Sequence, residues 1–252
     1  MSNIPELLEL LKAGVHFGHK TSRWHPKMAP FIFGERGGVH IINLEETRRQ
    51  IEGALEFVKT LGREGKKILF VGTKKQATAI IKKYAEEVGA PFVENRWLGG
   101  TITNWGEIYK LIRSYLDLKT QQEKGDLGKY TKKEQLEFSK DISKKTQLVG
   151  GVSSLTRVPD ALFIVDIRHE DTAVREANQK KIPIVALCDT NVNPDTIQYP
   201  IPGNDDAVKS IDMIVQLVAS AYKEGAEERK NAEQQKVDTE ITEKKTVEAV
   251  VV

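Results

Sequence analysis

Cysteine is almost absent: Cys188 is the one thiol in 252 residues. An internal disulfide and a cysteine-based zinc framework are therefore both excluded, and a reducing compartment is expected. Long apolar runs are missing too, none approaching the ~18 residues that a membrane-spanning helix needs. No basic-then-apolar leader opens the sequence, so secretion is not expected and the cytoplasm is. Charge of a single sign is also lacking. Lys and Arg number 38 against 36 Asp and Glu, a net +2 that permits an RNA partner without demanding one.

The common nucleotide fingerprints are absent as well. No two glycines are separated by a single residue, which removes G-x-G-x-x-G, and no Gly-Lys is followed by Ser or Thr at phosphate-loop spacing. There is no H-E-x-x-H, and no internal repeat is evident. Residues 225–252 carry seven acidic and five basic side chains with no strong period, the pattern of a disordered or frayed helical tail.

What is present is a core-forming chain, 39% hydrophobic, long enough for one large domain or one domain with an insertion at ~150 residues each. Asn3 to Gly14 reads as a short amphipathic helix with Asn3 as cap, Pro5 in the first turn and Gly14 as its stop. Residues 15–42 are aromatic, basic and broken by Gly and Pro, without a clear period. Asn43-Leu-Glu-Glu46 has cap chemistry, and Ile51, Leu55, Val58 and Leu61 follow at helical spacing.

Ile68–Gly72, Ala161–Asp166 and Ile184–Asp189 are short, continuous apolar runs. Such runs suit strands covered on both faces, as parallel strands are. Helical patterns at Gln76–Val88 and Asp171–Lys180 follow the first two, and Pro91–Glu94 is a weaker strand. This alternation predicts a three-layer, doubly wound (flavodoxin-like or Rossmann-like) parallel α/β sheet. Residues 106–150 interrupt it. Gly106 to Gln147 holds ten basic and seven acidic residues. Ile108, Leu111, Ile112, Tyr115 and Leu118 form one stripe, and Leu136, Ser139 and Ile142 a second after a Gly125–Gly128 turn. An inserted antiparallel coiled-coil hairpin is expected. The organisation is thus 1–105 and 151–224 as the α/β body, 106–150 as the insert and 225–252 as the tail.

Three chemistries compete for the strand ends and basic segments. Gly72-Thr73-Lys74-Lys75, at a strand-to-helix turn, could offer N–H groups and an ammonium to a phosphate, the nucleotide-binding enzyme reading. Four of the five histidines, His16, His19, His25 and His40, lie close together. His19 with Asp189 and Asp205 is the candidate ligand set for a zinc ion, although imidazoles that bond backbone, stack or touch phosphate are the favoured alternative. Finally, Lys20 to Lys27 and Arg96 to Trp105 combine cations with aromatics. Cations meet phosphates and planar rings stack on unpaired bases, which makes Lys20, Arg23, Trp24, Lys27, Arg36, Lys74, Lys75, Arg96 and Trp97 the candidate RNA-binding set. Core filling by Trp24 and Trp97, and ordinary solvated charge for the rest, are the competing readings.

The order of particular motifs carries further. Leu11-Lys-Ala-Gly-Val-His-Phe-Gly-His19, Trp24-His-Pro-Lys-Met28, Pro30-Phe-Ile-Phe-Gly34 and Val39-His-Ile-Ile-Asn-Leu44 resemble the bacterial-type ribosomal protein S2 family. So do Ile68-Leu-Phe-Val-Gly-Thr-Lys74, Arg96-Trp-Leu-Gly-Gly100 with Thr103-Asn-Trp105, Pro159-Asp-Ala-Leu-Phe163 and Ile201-Pro-Gly-Asn-Asp-Asp-Ala207. These eight blocks are collinear across residues 8–222. The resemblance implies the same α/β body and hairpin, and a structural constituent of the small ribosomal subunit without catalysis, small-molecule substrate or membrane. It implies contacts to the subunit's rRNA and to neighbouring ribosomal proteins, including support for the large mRNA-binding one.

Overall fold

The structure, a computed structural model, describes residues 4–250, with side chains through residue 235. Its centre is a parallel sheet of five strands, β4 (Ile68–Val71), β5 (Phe92–Val93), β6 (Ala161–Val165), β7 (Ile184–Cys188) and β8 (Tyr199–Pro202), in the order β5-β4-β6-β7-β8. In register, Phe70 sits beside Phe163, Phe163 beside Val185, and Val185 beside Tyr199. The runs are apolar throughout because alternate side chains enter two different cores. Phe70, Phe163, Val185, Leu187 and Ile201 face α2 (Leu44–Arg63), α3 (Thr78–Glu87) and α7 (Val208–Val250). Leu69, Val71, Leu162, Ile164 and Ala186 face α4 (Trp105–Glu123), α5 (Lys132–Val149) and α6 (Asp171–Gln179). This is the expected three-layer, doubly wound body. Strand order reverses between β4 and β6, which makes that gap the topological switch point.

Strand β8 lies outside the sequence expectation. Its Tyr-Pro-Ile-Pro composition argues against a strand interior, yet an edge position needs no donors on its open side. The featureless stretch 15–42 folds as a second, antiparallel sheet of β1 (Phe17–Lys20), β2 (Ile32–Arg36) and β3 (Val39–Ile42), ordered β1-β3-β2. Both of its pairings contain register shifts, which explains the missing period. This small sheet sits over the carboxyl end of β7. The backbone N–H of His25 donates to Thr190 O at 2.8 Å and that of His19 to Thr190 Oγ1 at 2.9 Å. Gly18 permits the approach, since a Cβ there would lie 2.6 Å from Thr190 Cγ2.

Helix α1 (Leu7–Ala13) ends at Gly14 in the left-handed conformation, φ 77°, and is capped by Glu6 and Glu9 in a reciprocal box. Asn3, the expected cap, lies outside the described residues. Asn43 caps α2 by accepting from Glu45 N at 3.0 Å. The insert is a pair of antiparallel helices, α4 and α5, turning at Gly125 (φ 76°) with Thr131 and Glu134 as capping box. Ile108, Ile112, Tyr115 and Ile142 are buried between the pair and the body, whereas Leu136, placed on the apolar stripe by its spacing, is 56% exposed.

Where a disordered or frayed helical tail is expected from residue 225, α7 continues as helix, and α2 supports its course as far as Glu228. Lys59 Nζ reaches Glu228 Oε1 at 2.7 Å and Glu224 Oε2 at 3.3 Å. The two helices cross where neither has a side chain. A Cβ on Gly62 would come to 2.5 Å from Tyr222 O, and one on Gly225 would run into Lys59 O.

Candidate nucleic-acid interface and polar crevice

Carboxylates crowd the carboxyl ends of the parallel strands. Lys74, after β4, is held by three of them: Asp166 Oδ2 at 3.1 Å, Asp205 Oδ1 at 2.8 Å and Asp206 Oδ1 at 2.7 Å. Burial alone would lower the pKa of Lys74, but these partners hold it above the usual lysine range. Lys74 is therefore removed from the RNA-binding set. Its ammonium is half-buried and already neutralised, so a phosphate would have to displace three aspartates.

The backbone of the same turn is also occupied. Thr73 donates its N–H at 2.9 Å and its hydroxyl at 2.6 Å to Glu170 Oε1, a buried carboxylate from the β6–α6 loop. A phosphate cradle needs those donors free. The nucleotide-binding reading of Gly72-Thr73-Lys74 fails on this geometry.

His19, from β1, enters the acidic cluster from above. Its Nδ1 lies 3.0 Å from Asp189 Oδ2, and its Nε2 3.6 Å from Asp206 Oδ2. The hydrogen bond to Asp189 raises the pKa of the imidazole above its ordinary value against partial burial. Asp205 is buried, which together with Asp166 and Asp189 pushes its carboxyl up to about 7 despite Lys74. One ligand atom each from His19, Asp205 and Asp206 fall within 4.8 Å of one another. Asp205 Oδ2 is buried without a hydrogen-bond partner. Imidazole plus carboxylate is donor chemistry that fits a zinc-like ion. The set differs from His19, Asp189 and Asp205 in one member. Asp189 is spent on His19 Nδ1 and on the N–H of Thr190, where it orients the imidazole, and Asp206 takes its place.

The Arg96–Trp105 segment is anchored from below by Glu176. This buried α6 carboxylate accepts from Trp97 Nε1 (3.1 Å), Gly100 N (2.8 Å), Ile102 N (3.0 Å), and both Thr103 N and Oγ1 (3.1 Å each). Burial would raise its pKa, but the donors outweigh burial and hold it below the ordinary carboxylate value. Trp97, 7% exposed and bonded to Glu176, is a core residue and leaves the stacking set.

The remaining candidates are on the surface. Lys20, Arg23, Trp24, Lys27 and Arg36 ring the small sheet, while Lys75 and Arg96 occupy loops at the carboxyl ends of the parallel strands. Lys27 is shared with Asp195 at 2.9 Å. Trp24, 39% exposed, tilts against His40 at 5.2 Å between ring centroids. Lys20, Arg23, Arg36, Lys75 and Arg96 form no ion pair among the described residues. Glu170, Glu176, Asp206 and the pair Arg168–His169 were not singled out by sequence. Glu176 alone had a signal there, a charge inside the apolar face of Ala173, Val174 and Ala177.

Between α1 and the β2–β3 hairpin lies an apolar groove of about 420 Å³, lined by Leu7, Leu8, Leu11, Phe33, Ile41 and Leu44 among others. Phe33 is 79% exposed and Leu8 57%. Contiguous apolar exposure of this kind marks interaction surfaces.

A parallel α/β body whose Thr73–Lys74 turn is occupied by its own carboxylates, with unpaired cations and an apolar groove outside it, defines a binding scaffold. The family profile described as Ribosomal protein S2 matches residues 10–225. A Marinobacter nauticus protein named small ribosomal subunit protein uS2 is 47% identical over 219 residues, covering 87% of this chain and 88% of the relative. Its namesake from Fusobacterium nucleatum is 44% identical over 242 residues, 96% and 98% of the two chains. The uS2 of Campylobacter curvus is 49% identical over 217 residues, 86% and 82%. This chain belongs to the ribosomal protein S2 family.

Proposed function

We propose that the chain is a structural constituent of the small ribosomal subunit, cytoplasmic, and bound to that subunit's rRNA and neighbouring proteins. The observation that carries this reading is the set of exposed cations without acidic partners among the described residues: Lys20, Arg23 and Arg36 at the small sheet, and Lys75 and Arg96 in loops at the carboxyl ends of the parallel strands. Phosphate contacts from such side chains position a protein on RNA without reading sequence. Lys27 joins them once Asp195 releases it, and Trp24 offers a ring face beside Arg23. The apolar groove at Leu8, Leu11 and Phe33 supports docking of a neighbouring ribosomal protein, including the large mRNA-binding one. The α4–α5 hairpin, net +3 over 106–147, extends the surface open to rRNA or a second protein.

The Arg23→Ala, Lys27→Ala, Arg36→Ala triple variant tests the interface. It is expected to enter small subunits less completely than wild type, with the deficit narrowing as salt rises, because each lost phosphate contact removes about one unit from the log K against log salt slope. Incorporation equal to wild type at every salt concentration would refute these residues as anchors.

A zinc ion at His19 Nε2, Asp205 and Asp206 is part of the same proposal. Such an ion would tie the small sheet to the β8–α7 loop, a structural contribution only. Equilibrium dialysis is expected to give one zinc per wild-type chain and none for Asp205→Asn with Asp206→Asn. Equal zinc content in the two would overturn the site.

A further inference from the structure

Arg96, one of the unpaired cations, opens onto a concavity distinct from the apolar groove. At the switch point between β4 and β6, three loops enclose a polar cleft of about 470 Å³, within the ~300–1,000 Å³ range of pockets that hold a small ligand. Asn95, Arg96 and Gly99 line one side, His169 and Thr172 the other, and the Thr73–Glu170 pair lies between. Crevices at this position of an open α/β sheet are where such folds receive ligands.

The backbone route into this cleft is closed, because Glu170 consumes the Thr73 donors. The side-chain route is open. Arg96 is exposed and engages no acceptor among the described residues, and the His169 imidazole has no hydrogen-bond partner there, its backbone N–H alone donating, to Asp166 at 3.0 Å. Neither group is loosely held at its base. Arg96 directly precedes Trp97, which Glu176 anchors, and Asn95 Nδ2 donates to Gln147 O at 3.1 Å. Arg168 stands beside the cleft, exposed, with no ion pair among the described residues. A guanidinium carried on anchored backbone opposite an imidazole, with amide and hydroxyl groups at the same mouth, is chemistry for a phosphate joined to a hydrogen-bonding ring.

We propose that this cleft takes a single nucleotide, its phosphate on Arg96 and His169 and its base edge toward Asn95 and Thr172. The inference rests on the rRNA reading above, in which an unpaired rRNA residue supplies the nucleotide. A free mononucleotide has the same chemistry, and the experiment separates the two sources.

Full-length wild type, Arg96→Ala, Arg96→Lys, His169→Ala and a control, Lys223→Ala, are titrated with small-subunit rRNA from 50 to 200 mM salt. In parallel, their thermal unfolding is followed with and without AMP. Wild type is expected to lose about 2.6-fold more affinity than Arg96→Ala across that fourfold salt range, the effect of one phosphate contact on an unpaired strand. Arg96→Lys keeps the wild-type slope, His169→Ala weakens binding at every salt concentration, and Lys223→Ala matches wild type. An AMP-dependent rise in melting temperature that Arg96→Ala abolishes, with rRNA binding unchanged between the two, supports the cleft and assigns it to free nucleotide. Arg96→Ala with both the wild-type salt slope and the wild-type AMP response overturns the cleft while leaving the ribosomal reading intact. If wild type itself fails to bind rRNA, the ribosomal reading falls. The AMP arm then decides the cleft: a rise lost in Arg96→Ala supports it, and no rise overturns it.

Discussion

Replacing Glu176 tests whether the Arg96–Trp105 loop is held by one carboxylate. Glu176→Ala strands five donors at once: Trp97 Nε1, Gly100 N, Ile102 N, and Thr103 N and Oγ1. Gly100 and Thr103 are half-buried and can recruit water, whereas Trp97 and Ile102 are 7% and 2% exposed. Two buried donors left unsatisfied, at ~1–3 kcal/mol each, give a loss of about 4 kcal/mol. Glu176→Gln has the same shape but one accepting oxygen. Oε1 serves Trp97 and Gly100, and Oε2 serves Ile102 and Thr103, so either orientation of the amide turns its NH₂ toward a buried donor. The expected loss is about 2 kcal/mol, the cost of one such clash and its missing bond. Urea titration of the two variants reads these values, and hydrogen exchange reads the same event locally, as lost protection of the Gly100, Ile102 and Thr103 amides. A loss under about 1 kcal/mol for Glu176→Ala, on the scale of a neutral surface change, would refute the reasoning. So would Glu176→Gln matching wild type.

The same carboxylate sets a pH dependence. Its folded-state pKa lies below the ordinary glutamate value, so its contribution is complete above about pH 4.3 and is lost as pH falls through the folded value. The difference in stability between wild type and Glu176→Gln should therefore narrow on acidification below that pH, and a constant difference would count against it. Two glycines of α2 should respond in opposite directions. Gly53→Ala adds a methyl into open space within a helix and should stabilise by about 0.5–1 kcal/mol, while Gly62→Ala meets the α7 backbone and should cost ~1–3 kcal/mol or more, both read from thermal melts. Phe33→Asp, at a 79% exposed position, should leave the melting temperature within a degree or two of wild type yet weaken capture of the large mRNA-binding ribosomal protein in a pull-down with purified components. Unchanged capture would remove the groove from the interface.

The parallel sheet was legible because burial on both faces writes itself into a strand as an unbroken apolar run, as in Ile68–Val71 and Ile184–Cys188. Strand β8 was hidden because prolines at 200 and 202 are tolerated only at an edge, and edge position is a property of the whole sheet. The small sheet was hidden for a related reason: its strands are four or five residues long with shifted registers, so no period survives. Cations in the basic segments were visible as charges, but their partners were not. Lys74 and Lys75 are neighbours in sequence, and only the fold shows that Asp166, Asp205 and Asp206 converge on one and leave the other in solvent. Trp97 misled in the same way. Its aromatic ring beside an arginine suggested stacking, and the acceptor that buries it lies 79 residues further along the chain.

Sedimentation of the tagged protein from a cell lysate through a sucrose gradient, at moderate salt and millimolar magnesium, tests the central claim most directly. Co-migration with the small ribosomal subunit, lost after RNase treatment, is the result expected of an RNA-anchored structural component. A chain that stays at the top of the gradient, from tags placed at either end in turn, would contradict it.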